Sequence, residues 1–352
     1  MKKCDRCGHV NQDDAVFCFK CGHMIGFSGN RGAVPSLPLN TSKLNWKDLF
    51  TKVFKKHSIQ EAEDLFIYGT RRTTPPLNAV SSEWPKPWLY SRVLIGLVIT
   101  FFFLKFSFDI FDNPNAIPGV IFIGSLVFPL STAFLFMEIN VFRNISFYKN
   151  ALIFIIGGAA SLFVTLFFYR FFSLNGRELN YLVALLISII EEIGKFFIIF
   201  FFLKKITGCN YILNGLLIGA LVGAGFATFE SAGYAFRLLL DNDINTMYSV
   251  IYLRGFLSPG GHVAWSAMVG AAIIISKGQN QTQLTLTDTF SNKHFWRIVV
   301  VPILLHFLWD CPLMMNFALV KFIILVIVAW VKTIILIQMG LNEVNTLTNK
   351  NS

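Results

Sequence analysis

Charge is scarce in this chain. Of its 352 residues only 14% are Asp, Glu, Lys or Arg, while 54% are hydrophobic and 38 are Phe. Soluble domains carry about 25% charged residues. The deficit, together with long apolar runs, excludes a soluble α/β enzyme and a disordered chain. Cysteine is sparse as well: there are six, and four fall within the first 21 residues, which excludes a disulfide scaffold. No apolar stretch follows Met1. The chain runs from Lys2 and Lys3 straight into Cys4, so the N-terminus is expected to be a cytosolic module rather than a secretory signal. Acidic charge is the scarcer sign, with 20 Asp and Glu against 30 Lys and Arg. A nucleic-acid partner is not needed to explain the excess, because basic residues gather at the cytoplasmic ends of membrane helices.

What is present divides into a small head and a long apolar body. Cys4 and Cys7 form one CxxC pair, Cys18 and Cys21 a second, with ten residues between and Gly8 or Gly22 after each pair. Each half can fold as a knuckle whose backbone N–H groups face two thiolates. Four thiolates close a tetrahedral structural Zn²⁺ site with no open position for chemistry. So small a unit cannot bury enough core alone, and the metal must hold it. Residues 1–25 therefore read as a zinc ribbon that contacts a protein partner, with His9 and His23 on its surface. Residues 26–87 read as a Gly/Ser/Pro/Asn-rich linker and a juxtamembrane segment. There Trp46, Leu49, Phe50, Val53 and Phe54 recur at helical spacing among Lys47, Lys52, Lys55 and Lys56. That pattern suits either an amphipathic helix on an anionic leaflet or one packed on the protein's own face. Ser58 and Glu61 form a capping-box signature for the next helix.

Eight apolar spans are expected between residues 88 and 340: 88–108, 117–138, 151–172, 180–203, 211–237, 255–276, 295–312 and 318–339, followed by a cytoplasmic tail at 341–352. The fold class is an all-α polytopic membrane protein with about eight transmembrane helices and the ribbon. Arg143, Lys149, Lys204, Lys205, Lys277, Lys293 and Arg297 occupy alternate loops, and Asp109, Asp112, Asp241 and Asp243 the others. The positive-inside rule then puts both termini in the cytoplasm of a bacterial-type cell membrane. Gly215, Gly219 and Gly223 make a small-xxx-small ridge that another helix can approach closely. Cys209 and Cys311 are expected on opposite sides of a bilayer core about 30 Å thick, out of disulfide reach, as packing residues.

Four spans carry ionisable side chains: Glu191, Glu192 and Lys195, then Glu230, then His262, then His306 and Asp310. Each charge at mid-bilayer costs about 2.5–3.5 kcal/mol on insertion scales, so they are expected to converge. Counted from the span ends, all lie between the midplane and the outer leaflet. Glu191 and Glu192 fall four and three residues before Lys195, which can neutralise one of them. His306 and Asp310 share a helix face, so the carboxylate can orient the imidazole. His262 follows Pro259-Gly260-Gly261, a helix-start signal with free backbone N–H groups.

Glu-Glu-x-x-Lys at 191–195, Phe-x-x-x-Glu at 226–230, His-x-x-Trp-x-Ala at 262–267 and His-x-x-x-Asp at 306–310 together resemble the PrsW family, within the wider group of CAAX-protease-like membrane proteins. The resemblance spans about residues 88–340. It implies an all-helical bundle that hydrolyses a peptide bond of a membrane-tethered protein substrate, such as an anti-sigma factor, within the lipid bilayer. It assigns a catalytic role to Glu191 and Glu192 and to His262, with Glu230, His306 and Asp310 at the remaining motif positions. A glutamate-activated water is the favoured chemistry. A membrane-site metal stays open, since carboxylates and imidazoles can bind one, although no His-Glu-x-x-His helix exists. The alternatives are an ion- or proton-coupled transporter, against which no inverted repeat is evident, and a non-enzymatic sensor or scaffold that uses the ribbon.

Overall fold

The computed structural model describes residues 2–4, 8–11, 46–70, 72–174, 178–241, 243–277, 284–313 and 317–349. The only strands among them are β1 (Lys2–Lys3) and β2 (Val10–Asn11), which pair antiparallel with Lys3 opposite Val10. Everything else regular is helical: α1 (Ile59–Ile67), α2 (Leu89–Asp109), α3 (Ile117–Ile139), α4 (Phe147–Leu152), α5 (Gly158–Phe171), α6 (Tyr181–Lys205), α7 (Ile212–Leu240), α8 (Ile244–Leu257), α9 (His262–Ser276), α10 (Leu286–Ser291), α11 (Lys293–Asp310) and α12 (Ala318–Asn349). A π-helical turn over Ile153–Gly157 joins α4 to α5.

Among the described residues, six stretches are long and apolar enough to cross a membrane: Leu89–Asp109, Pro114–Ile139, Phe147–Phe171, Ile212–Leu240, Ile244–Ser276 and Ala318–Thr348. The two other expected spans are also helices, α6 and α11. They are the two that carry most of the site: α6 holds Glu191, Glu192 and Lys195, and α11 holds His306 and Asp310. α12 continues past residue 340, so the expected start of the tail falls inside a helix.

The sixth span needs correction. It was expected at 255–276, but helix begins at Ile244, where Asp243 accepts the Thr246 N–H as N-cap. The segment then breaks at Ser258–Gly260, where Pro259 cannot supply a backbone donor, and restarts at His262. Two consequences follow. His262 opens a helix in the middle of the stretch rather than seven residues from its outer end, and Arg254 is drawn into the apolar body. The amphipathic helix expected over Trp46–Lys56 is also not formed. A 3₁₀ turn covers Trp46–Leu49 and turns follow it.

α7 is the central helix, buried almost without a break from Leu213 to Thr228, and packed by α3, α5, α8, α9 and α12. Its glycine ridge is the reason α9 comes so close. A Cβ built on Gly215 would lie 2.4 Å from Gly270 O, on Gly219 2.0 Å from Ser266 O, and on Gly223 2.2 Å from His262 O. Any side chain there would push α9 away, so the ridge fixes the position of His262. α2 sits at the edge, packed on α3, and turns Ile99 and Phe103 outward.

The end of the bundle that holds the basic loops is tied by polar contacts. The Glu138 carboxylate accepts the N–H groups of Trp88, Leu89 and Tyr90 at 2.8, 3.0 and 2.9 Å. This satisfies donors at the start of α2 that no helical carbonyl can reach. Glu343 accepts the Ile212 N–H at the start of α7. Asn214 donates to Asn140 at 3.0 Å and Asn144 at 2.8 Å. The capping box forms in full, with Glu61 N–H on Ser58 Oγ and Ser58 N–H on the Glu61 carboxylate. Cys209 and Cys311 are buried free thiols. Burial pushes the Cys209 thiol, in the α6–α7 loop, up to about 12, which keeps it protonated and inert.

Candidate active site

Glu191 and Glu192 are successive residues near the middle of α6, so their side chains diverge by about 100° around the helix. Glu192 takes Lys195: Nζ lies 2.6 Å from Glu192 Oε1 and 3.7 Å from Glu191 Oε2. The same Glu192 oxygen lies 2.9 Å from His306 Nδ1. Glu191 points to the other side, where Tyr169 of α5 donates its hydroxyl to Oε1. Glu191 Oε2 faces His306 Nε2 at 3.7 Å and His262 Nδ1 at 4.0 Å. All four α6 and α11 groups here, Glu191, Glu192, Lys195 and His306, are buried.

Glu230 of α7 holds the far side of His262. Its Oε2 lies 3.1 Å from His262 Nε2, and Arg254 of α8 donates to that same oxygen. Arg254 also donates through Nε to Ser231 Oγ at 3.1 Å and lies over the Tyr234 ring, 4.4 Å from its centre. Asp310 reaches His306 Nε2 at 3.3 Å, as expected from their spacing. Trp265 stacks on His306 with ring centres 4.7 Å apart, and Phe226 meets the His262 ring edge-on at 4.9 Å. Glu191, Glu192, Lys195, Glu230, His262, His306 and Asp310, the ionisable residues of the apolar spans, thus form one cluster built from four separate segments.

The hydrogen bonds sort the ring nitrogens. His262 Nε2 faces the Glu230 carboxylate and so carries the proton, while both nitrogens of His306 face carboxylates, Nδ1 that of Glu192 and Nε2 that of Asp310. His306 Nε2 and His262 Nδ1 are the two nitrogens that face Glu191 Oε2. Lys195 Nζ lies 2.9 Å from His262 Nδ1 and can donate to its lone pair. Glu191 Oε2, Glu192 Oε2 and Trp265 Nε1 are buried without a hydrogen bond, an arrangement that costs about 1–3 kcal/mol per group unless something binds there. Ligand atoms of Glu191, His262 and His306 all lie within 4.8 Å of one another. Counting side chains, the carboxylates of Glu191, Glu192, Glu230 and Asp310 exceed the fixed cations Lys195 and Arg254 by two. A divalent cation would balance that excess.

Two residues of the site escaped the sequence reading. Arg254 lay in what was read as a loop before the span, and a charge inside a 33-residue apolar stretch would have been the signal. Tyr169 sits in the run Phe167-Phe168-Tyr169, where no periodicity separates it from lipid-facing aromatics. At the N-terminus, Cys4 is buried, its N–H donates to His9 O, and Gly8 donates back to Cys4 O with φ +71°. Glycine thus supplies the left-handed turn expected after the first cysteine pair. His9 is exposed, while Cys7, Cys18, Cys21 and His23 lie outside the described residues.

A family model described as PrsW family intramembrane metalloprotease matches residues 148–336, more than half of the chain. A zinc-ribbon domain model matches residues 1–25. No curated protein and no solved structure matches. The matched region contains all seven clustered residues and both that were missed.

Proposed function

Since the chain belongs to the PrsW family of intramembrane metalloproteases and is a multi-pass membrane protein, we propose that it cleaves a membrane-tethered protein substrate, with Glu191 as the central catalytic residue. The observation that carries this reading is Glu191 Oε2: buried, without a hydrogen bond, and facing one ring nitrogen of each of two histidines. A water held there loses a proton to Glu191 as its oxygen attacks the peptide carbonyl. His306 donates through Nε2–H to the oxyanion, and His262 Nδ1 takes the proton from Glu191 and passes it to the amine as the C–N bond breaks. Glu192 holds Lys195 and the His306 proton, Glu230 holds the His262 proton, and Asp310 orients His306. Substrates that fit are single-pass regulators such as an anti-sigma factor. On the positive-inside reading, eight helices cross, both termini are cytoplasmic, and residues 1–25 bind a structural Zn²⁺ through Cys4, Cys7, Cys18 and Cys21 and contact a partner.

A second reading is favoured by the donor set. Glu191, His262 and His306 would hold a divalent ion, the histidines each backed by a carboxylate as metal-binding imidazoles usually are. Such an ion supplies an acidified water and a polarised carbonyl. Metal analysis separates the two. The full chain and a Cys4→Ser/Cys7→Ser variant are compared by mass spectrometry of bound metals. One equivalent, lost with the ribbon, supports the glutamate reading. Two equivalents, one lost with the ribbon and the other on Glu191→Gln, support the metal.

A further inference from the structure

We propose that the segment Trp46–Lys56 is a docking surface for an anionic lipid headgroup layer, independent of the proteolytic site. The segment is pinned to the first turn of α2. Leu49 is 6% exposed and belongs to the main core, and the Tyr90 hydroxyl donates to Leu49 O at 3.4 Å. Arg92 donates to Lys55 O at 3.0 Å, and the ring of His57, next in the chain, stacks on Trp88 at 3.8 Å. Trp88 precedes the apolar stretch Leu89–Asp109, so the segment lies within a helical turn, about 5 Å, of where that stretch begins.

The side facing away from the protein is aromatic. Trp46 is 55% exposed, Phe50 51% and Phe54 92%. A Phe side chain is stabilised on leaving water, and nothing among the described residues covers Phe54. Lys47, Lys55 and Lys56 are exposed beside these rings and Lys52 is half-buried, with Asp48 the only acid between them. Rings level with the start of a membrane helix, flanked by cations, match the chemistry of an interface with negative headgroups. The turn thus does what a regular amphipathic helix would have done, and Leu49 faces the core because the chain turns tightly enough to separate it from the other three.

The test uses the full chain with p-benzoylphenylalanine at position 54, reconstituted in vesicles of phosphatidylcholine alone or with 30% phosphatidylglycerol and irradiated. Adducts are read by mass spectrometry, with the same label at Ile99, on the outward face of α2, as the control for correct insertion. Lipid adducts at position 54 are expected, at least about fivefold enriched for phosphatidylglycerol. The Lys47→Glu/Lys52→Glu/Lys55→Glu/Lys56→Glu variant should remove that enrichment, since each basic residue near such a surface contributes about 1 kcal/mol. Three outcomes would overturn the proposal: no lipid adduct at 54 while Ile99 gives one, a crosslinked dimer in place of lipid, or equal adducts with both lipids.

Discussion

Two buried polar clusters in this protein look alike in composition and differ in bookkeeping. At the basic end, Asn140, Asn144 and Asn214 pair with one another, and the Glu138 carboxylate accepts three backbone N–H groups. In the middle, Glu191, Glu192 and Trp265 keep atoms with no hydrogen bond. The first arrangement closes on itself and can only hold helices together. The second is incomplete, so it stores a cost that a bound water, ion or substrate would relieve. The comparison teaches that depth and charge alone do not mark a reactive site in a membrane; unsatisfied carboxylate oxygens beside imidazoles do.

The largest expected effect comes from the incomplete cluster. His262→Ala should lower cleavage by about 10²–10⁴-fold, the usual range for a lost acid–base group, with protein abundance unchanged. A parallel fall in abundance would mean that His262 belongs with the structural cluster instead.

Arg254→Met comes next. Arg254 reaches the site only through Glu230 and Ser231, so it acts as a positioning residue for His262. Turnover should fall by about 10–100-fold with KM unchanged, and Arg254→Lys should restore part of it. In a Glu230→Gln background the same change should add little, because the path already ends there. Additive losses measured in that double-variant cycle would separate Arg254 from His262.

The smallest catalytic effect belongs to the closed cluster. Asn214→Leu leaves its partners short of hydrogen bonds and should destabilise the protein by about 1–3 kcal/mol. Thermal unfolding in detergent should show the loss, while activity per folded molecule stays normal. Unchanged melting with reduced turnover would erase the distinction between the clusters.

How much of this was legible in the sequence follows from what each feature depends on. The glycine ridge was readable because Gly215, Gly219 and Gly223 repeat at a fixed interval, and α9 does lie against it. The convergence of Glu191, Glu230, His262 and His306 was readable because buried charge has few places to go. The break at Ser258–Gly260 was signalled by Pro259-Gly260-Gly261 and read as a helix start, but inside a span taken to open only at residue 255. Hydropathy falls at Arg254, and that dip concealed the helix before it. The turn at Trp46–Leu49 carries helical spacing that its fixation to Tyr90 and Arg92 overrides. Tyr169 and Glu138 act across helices, and no local pattern carries such partnerships.

The central claim is tested most directly by the peptide ends that the protein creates. Membranes from cells producing the wild-type chain and the Glu191→Gln/Glu192→Gln variant at equal abundance are compared by labelling new N-termini and identifying them by mass spectrometry. Gln keeps the size and much of the hydrogen bonding but cannot accept the proton, and losing buried charge should not impair insertion. The account predicts new ends within or beside the membrane segment of a tethered protein in the wild-type sample and their absence with the variant. The same ends at the same yield from both would contradict it.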